Sequence, residues 1–167
     1  MKLFGIGHRE MVRLAEAERQ RLLQYALYRL GNRADAEDAV QDAFVRMYQR
    51  MAGEGLEDSN LTGYLYRTLS NVCVTRLREM GHMQTVSLDG QPEAAEPETE
   101  DLEAEFRRIS QLLNGIPDEQ AEVIRLHYYG DKTFREIADI LDVPITTAKS
   151  RFVYGLEKIR KGLNVKL

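Results

Sequence analysis

The reactive groups of this chain are concentrated in one short stretch near its end. Thr146, Thr147, Lys149, Ser150, Arg151 and Tyr154 place hydroxyl, ammonium, guanidinium and phenol groups within nine residues. Side chains of these types donate hydrogen bonds to phosphate oxygens and to base edges. They do not form a nucleophile–base pair or a paired-carboxylate set of the kind that breaks covalent bonds. The chemistry they suggest is recognition of nucleic acid.

A rigid pair of helices is needed to hold such groups in register, and the flanking sequence supplies one. Thr133 stands three residues before Glu136, the spacing of a capping box. Phe134, Ile137, Ala138 and Leu141 recur at helical spacing, and the small Ala138 lets a second helix cross closely. Asp142 can occupy the left-handed turn conformation, and Pro144 ends the first helix and suits the start of the next. Ala148, Phe152, Leu156 and Ile159 then form an inner face, which leaves the donors outward. Residues 133–161 thus read as a helix-turn-helix, whose second helix enters the DNA major groove. The same pattern alone also describes an amphipathic helix pair with a solvated basic face.

Charge is distributed to fit the first reading. The 167 residues carry a net charge of −4, but the acidity is local: 1–80 sum to +1, 81–105 to −8 and 106–167 to +3. The parts on either side of the acidic segment can therefore meet a polyanion. No apolar run approaches the roughly 20 residues of a membrane span, and the opening MKLFGIGHREMVRL lacks the apolar stretch of a secretory signal. Cys73, the single cysteine, allows no internal disulfide and sits in a helical pattern as a small core residue. These features predict an intracellular protein.

The organisation predicted is all-α. Residues 10–30 form a helix broken by Gly31-Asn32. Asp35 is the expected cap of the next, which runs to about 51, and 61–80 form a third. Residues 81–101, with Gly90, Pro92, Pro97 and six acids, read as a flexible linker. Helices resume at 102–113 and 121–129, the latter led by Pro117 and ended by Gly130, before the helix-turn-helix. Two helical domains, 1–80 and 102–167, are thus joined by an acidic linker, 81–101.

Three blocks in this order, DAEDAVQDAFVRMYQRM, LTGYLYRTLSNVCVTRLR and IPDEQAEVIRLHYYGDKTFREIADILDVPITTAKSR, resemble the extracytoplasmic-function (ECF) group of bacterial sigma-70 factors. The resemblance covers about 20–80 and 108–163. It implies a three-helix-type region 2 bundle and a region 4 helix-turn-helix. It also implies binding to core RNA polymerase through the beta-prime clamp helices and the beta flap, and recognition of promoter −10 and −35 elements.

Asp38, Gln41, Asp42, Phe44 and Arg46 stand at the family's clamp-binding positions. Tyr64, where an aromatic is usual, and Asn71, at a typical asparagine, stand in the −10-reading helix, with Arg67, Arg76 and Arg78 suited to single-strand contacts. The loop 53–60 resembles the one that pockets an everted base. Thr146, Thr147, Lys149, Ser150, Arg151 and Tyr154 stand in the −35-reading helix, with Thr133 and Arg135 on flanking phosphates and Arg151 expected at or near a base. Tyr154 and Leu156 replace arginines common in the family, Asp142 the usual turn glycine, Ala148 a usual valine, and Ala121 a common arginine. The family's linker threads the polymerase cleft, where an anionic segment would mimic nucleic acid. Such factors work in the bacterial cytoplasm and are commonly held by an anti-sigma factor. The resemblance calls for no cofactor, no metal and no small-molecule substrate.

Other readings can be weighed on residues. Residues 116–161 are also similar to the DNA-binding domain of two-component response regulators, but 1–80 lack the strand–helix alternation of a receiver. A helical adaptor without DNA contacts would not need the basic second helix. An enzyme is disfavoured: His8, His82 and His127 lack metal-ligand spacing with Cys73, and no phosphate-cradling glycine loop occurs.

Overall fold

The computed structural model describes the backbone of residues 2–53, 61–86 and 97–165 and the side chains of 9–53, 61–81 and 104–162. Those residues form seven helices and no strand: α1 (Lys2–Leu30), α2 (Arg33–Gly53), α3 (Leu61–Val86), α4 (Pro97–Asn114), α5 (Asp118–Tyr128), α6 (Phe134–Leu141) and α7 (Ile145–Val165). Helices α1 and α3 extend beyond the expected 10–30 and 61–80, and α4 begins before 102. Residues 87–96 of the acidic segment and 54–60 of the loop lie outside the described residues.

The first three helices pack by simple periodicity. Leu22, Tyr25, Ala26 and Leu30 of α1 bury against Ala36, Ala39, Val40, Ala43 and Met47 of α2 and Leu65, Leu69, Val72 and Cys73 of α3. Cys73 is fully buried, and burial pushes its thiol pKa up to about 12, so it is a core residue. The α1–α2 turn is made by Gly31 at φ +85°, which a residue with a Cβ would strain. Asn32, not Asp35, caps α2. Its side-chain oxygen accepts from the Asp35 amide at 2.8 Å and its amide donates to the Asp35 carboxylate at 2.6 Å. The cap is the residue before the first turn, and Asp35 sits at the third helical position, where it reaches back.

The last three helices follow the expected local chemistry closely. Thr133 and Glu136 close the capping box: the Thr133 hydroxyl accepts from the Glu136 amide, and the Glu136 carboxylate accepts from the Thr133 amide. That backbone hydrogen bond, above all, lowers the Glu136 pKa. Asp142 takes the left-handed turn at φ 57°. Ala148 is buried on the inner face of α7. His127 stacks on Phe134 (4.7 Å) while Phe152 meets both rings edge-on, so one aromatic cluster ties α5, α6 and α7 together.

Helix α7 crosses α5 at Gly155. A Cβ there would lie 2.8 Å from Ile124 Cδ1 and 3.2 Å from Gln120 Cβ, so glycine sets how closely the two helices approach. Gly155→Val should therefore overpack the seam and cost about 1–3 kcal/mol. A lower urea midpoint at unchanged slope is the expected result; an unshifted midpoint would mean that the crossing is loose.

Candidate functional site

Three outward surfaces carry the residues singled out from the sequence. On α2, Asp38, Asp42 and Arg46 follow one another at i, i+4, i+8, and Arg46 pairs with Asp42 at 3.4 Å. Gln41 and Phe44 sit on the adjoining stripe with Val45 and Tyr48, which are about half exposed. That second stripe and Met11, Leu23 and Arg19 of α1 enclose an open groove of about 980 Å³. The five residues therefore divide between an ionic ridge and a mixed apolar groove beside it. An apolar floor with exposed carboxylates and an amide along its edge suits an amphipathic helix that carries cations.

On α3, Tyr64, Arg67, Asn71 and Arg78 fall on one helical stripe, with Asn71 and Arg78 exposed and the other two half-buried. The Arg50 guanidinium at the end of α2 lies 5.6 Å from the Tyr64 ring centre. Arg76 lies off this stripe, on the side of Cys73, whose pKa it helps to hold down against burial.

On the helix-turn-helix, Thr146, Lys149 and Ser150 are exposed and continue along α7 into Val153 and Tyr154, which are 51% and 57% exposed. Thr133 and Arg135 are exposed at the start of α6, and Thr147 is half-buried. Arg151 is also half-buried, its Nη2 3.7 Å from the Glu119 carboxylate across the α5–α7 seam. Val153 was not singled out from the sequence. Its exposure follows from its place three residues after Ser150, a signal readable from helical spacing.

The sequence reading missed a second group entirely. Glu18, Leu22, Tyr25 and Arg29 form one stripe of α1, and both charged members are buried. The Tyr25 hydroxyl donates to the Glu122 carboxylate of α5 at 2.6 and 2.7 Å, and accepts from Arg29 Nη1 at 2.7 Å. Arg29 also meets Glu122 at 2.7 Å, Asp118 at 3.1 Å and Ser70 of α3 at 3.2 Å. Arg125, with no exposed surface, reaches Glu122 at 3.3 Å and Asn114 at 2.9 Å.

A few residues away, Lys132 Nζ donates to both oxygens of Glu18 at 2.6 and 2.9 Å, and the Tyr66 hydroxyl donates to Glu18 at 2.8 Å. Lys132 lies 4.8 Å from the Tyr66 ring centre. Burial, and then Glu122, push the Tyr25 pKa well above its ordinary value. Burial and Glu18 do the same for Tyr66. Burial works against the Arg29 charge, yet Tyr25, Glu122 and Asp118 together outweigh it and raise its pKa. Both phenols therefore stay protonated, and the Arg29 guanidinium stays charged.

These contacts join the two halves of the chain. Tyr28 of α1 stacks on Tyr129 at 3.9 Å, Ser110 of α4 donates to the Arg29 carbonyl, and α6 packs on α3. One apolar cluster runs from α1–α3 through Phe106 into Val123, Leu126, Ile137 and Ile140.

Among the described residues no group of three His, Cys, Asp or Glu side chains could hold a metal ion, and no helix is long and apolar enough to cross a membrane.

Comparison with known proteins follows the same division. Sequence profiles described as sigma-70 region 2 and sigma-70 region 4 match residues 14–82 and 112–161. The ECF RNA polymerase sigma factor SigW of Bacillus subtilis is 27% identical over 163 residues, covering 90% of this chain and 87% of its own. The ECF sigma factor SigL of Mycobacterium tuberculosis is 28% identical over 142 residues, with 83% and 80% covered. Two solved structures share the fold. CnrH in complex with the cytosolic domain of CnrY has a TM-score of 0.70 at 18% identity, covering 96% of this chain and 91% of that one. The sigma factor RpoE in complex with the anti-sigma factor NepR, from Bartonella quintana, has a TM-score of 0.62 at 22% identity over the whole of both chains.

The buried network makes its own prediction. Glu122→Gln removes the carboxylate shared by Tyr25, Arg29 and Arg125. Asp118 is then the one carboxylate paired with the two buried guanidinium groups, and a broken buried pair costs about 3–5 kcal/mol. Chemical denaturation should show a loss of that size; a loss no larger than that of a surface substitution would show the network to be incidental.

Proposed function

The chain belongs to the extracytoplasmic-function group of sigma-70 factors, a sigma factor that binds core RNA polymerase and directs promoter-specific initiation, and from that premise we propose how its surfaces divide the work. Residues 1–80 carry polymerase binding and −10 recognition, and 102–167 carry −35 recognition. The α2 ridge Asp38–Asp42–Arg46 and the groove residues Gln41 and Phe44 receive the beta-prime clamp helices. A cationic amphipathic partner would meet the carboxylates and lay its apolar side along the groove.

The α3 stripe Tyr64, Arg67, Asn71 and Arg78 follows the opened −10 strand, with the aromatic ring as stacking platform and the cations on phosphates. Arg76, off that stripe, contributes less directly. The α7 stripe Thr146, Lys149 and Ser150, extended by Tyr154, reads the −35 duplex in the major groove. Thr147 flanks it, and Thr133 and Arg135 hold phosphates. Arg151 reaches a base edge by exchanging Glu119 for DNA. The observation that carries this reading is the continuous exposed stripe of donors on the second helix of a fully formed helix-turn-helix.

The chemistry of RNA synthesis is the polymerase's in this reading; among the described residues no group of three His, Cys, Asp or Glu side chains could hold a metal ion. Its workplace is the bacterial cytoplasm, where promoter DNA lies. The beta flap is the second docking point on polymerase. The acidic segment within 81–105 occupies the polymerase cleft as a nucleic-acid mimic. CnrH and RpoE were solved with CnrY and NepR respectively, and an anti-sigma factor is the inhibitory partner proposed here too.

Run-off transcription with core polymerase and a library of upstream sequences tests the whole reading; an absence of chain-dependent starts with folded chain and active core would reject it. Three variants separate the parts. Asp38→Ala with Gln41→Ala should weaken core binding itself. Arg151→Ala should keep core binding and lose about 1–3 kcal/mol of discrimination at one −35 position. Lys149→Ala should weaken −35 binding evenly across sequences and reduce the salt dependence by about one counterion. If all three change core binding alike, the division of labour proposed here is wrong.

A further inference from the structure

We propose that Val153 is a specificity-determining residue of the −35 contact, an inference that rests on the reading of α7 above. Its isopropyl group packs against the C5-methyl group of a thymine in the major groove and disfavours an unmethylated cytosine there.

Val153 stands seven residues after Thr146, four after Lys149 and three after Ser150, so it continues the exposed stripe of α7 two turns along. It is 51% exposed, and the opposite face of the helix is fixed. Ala148 is buried there, and Gly155 crosses α5 so closely that a Cβ would lie 2.8 Å from Ile124 Cδ1. The helix cannot roll to bury Val153 without breaking that crossing. Two turns are about 10 Å of helix, or roughly three base pairs at 3.4 Å each. Where the helix follows the groove, Val153 faces a base pair roughly three steps from the one that Thr146 faces.

The other members of the stripe, Thr146, Lys149, Ser150 and Tyr154, each carry a hydrogen-bonding side chain, and Val153 carries none. Base edges in the major groove present donors, acceptors and one apolar group, the thymine C5-methyl. A polar edge set against the isopropyl group would lose its water and gain no partner. Thymine is therefore the base that complements valine. The side chain is also stiff: one χ1 rotamer dominates in a helix, so little freedom is lost on contact. A single exposed valine is ordinary at a protein surface. This one lies among donors that face DNA, on a helix where β-branching brings no local gain. Tyr154 is turned about 100° round the helix from it, and its hydroxyl is placed for the flanking sugar-phosphate. The feature read is a methyl group, so 5-methylcytosine paired with guanine should be accepted in place of thymine.

Deoxyuridine tests this, because it differs from thymidine only by the missing C5-methyl. The full chain with core polymerase is bound to a promoter from the library selection, with each −35 thymine of either strand replaced in turn by deoxyuridine. At one position the affinity should fall about threefold to fivefold, the effect of burying one methyl group. Val153→Ala should bind the thymine and deoxyuridine forms of that position equally. With cytosine placed there, 5-methylation should raise affinity by a similar factor for the unaltered chain and leave Val153→Ala unchanged. A selected −35 element without thymine, no loss with deoxyuridine at any position, or a loss that persists in Val153→Ala overturns the proposal. Failure of the unaltered chain to distinguish −35 sequences at all overturns the −35 reading instead.

Discussion

Arg29 and Glu122 meet at 2.7 Å in a place that neither charge could occupy alone. Removing one from its partner would leave an unpaired ion away from water, so the pair obliges α1 and α5 to stay in register. Most of the described structure is arranged around that obligation. Tyr25 and Arg125 bring the remaining hydrogen bonds, Ser70 and Asp118 close the network from α3 and from the start of α5, and Ser110 fixes α4 on the Arg29 carbonyl. The apolar cluster around it then runs without a break through helices that two separate sequence profiles describe.

That arrangement leaves the surfaces proposed for recognition on the outside. The α2 ridge and groove, the exposed part of the α3 stripe and the α7 stripe take no part in the network. Each surface is built on a helix whose opposite face is fixed: α2 by Ala36, Ala39 and Ala43, α3 by Leu65, Leu69 and Val72, and α7 by Ala148 and Gly155. Rigid backing costs a recognition surface little flexibility, and the side chains facing solvent can be chosen for the partner. Helix α3 shows the division within one element: its inner face and Tyr66 are held in the packed body, and Asn71 and Arg78 of its outer stripe face solvent.

The interface combines apolar burial with buried charge. An unbroken apolar cluster crosses the interface and supplies stability by burial of carbon. Here the centre holds three positive and two negative side chains, Arg29, Arg125, Lys132, Glu18 and Glu122, all buried, and Asp118 closes the charge balance from a more exposed position. Stacking of Tyr28 on Tyr129 and the exposed Arg21–Asp131 pair add contact at the edge. Specific geometry with modest net stability is the expected property of such a set.

Local rules in the sequence determined the elements and the outward chemistry. The capping box at Thr133, the left-handed turn at Asp142, the buried Ala148 and the core position of Cys73 each depend on neighbours within a few residues, and each is found as expected. The motifs were also enough to identify the family, because three blocks in order are more specific than any one of them. At the start of α2, Asn32, within the break, takes the capping role expected of Asp35. What only the tertiary structure decided is the joining of the halves. Glu18, Arg29, Glu122, Arg125 and Lys132 read from sequence as ordinary solvated charges, since a charge is normally exposed unless paired. Their partners lie between 89 and 114 residues away wherever the pair crosses the two halves, and no spacing rule spans that distance. Burial of those charges is a property of the pairing, and the pairing exists only once the two helical units are folded against each other.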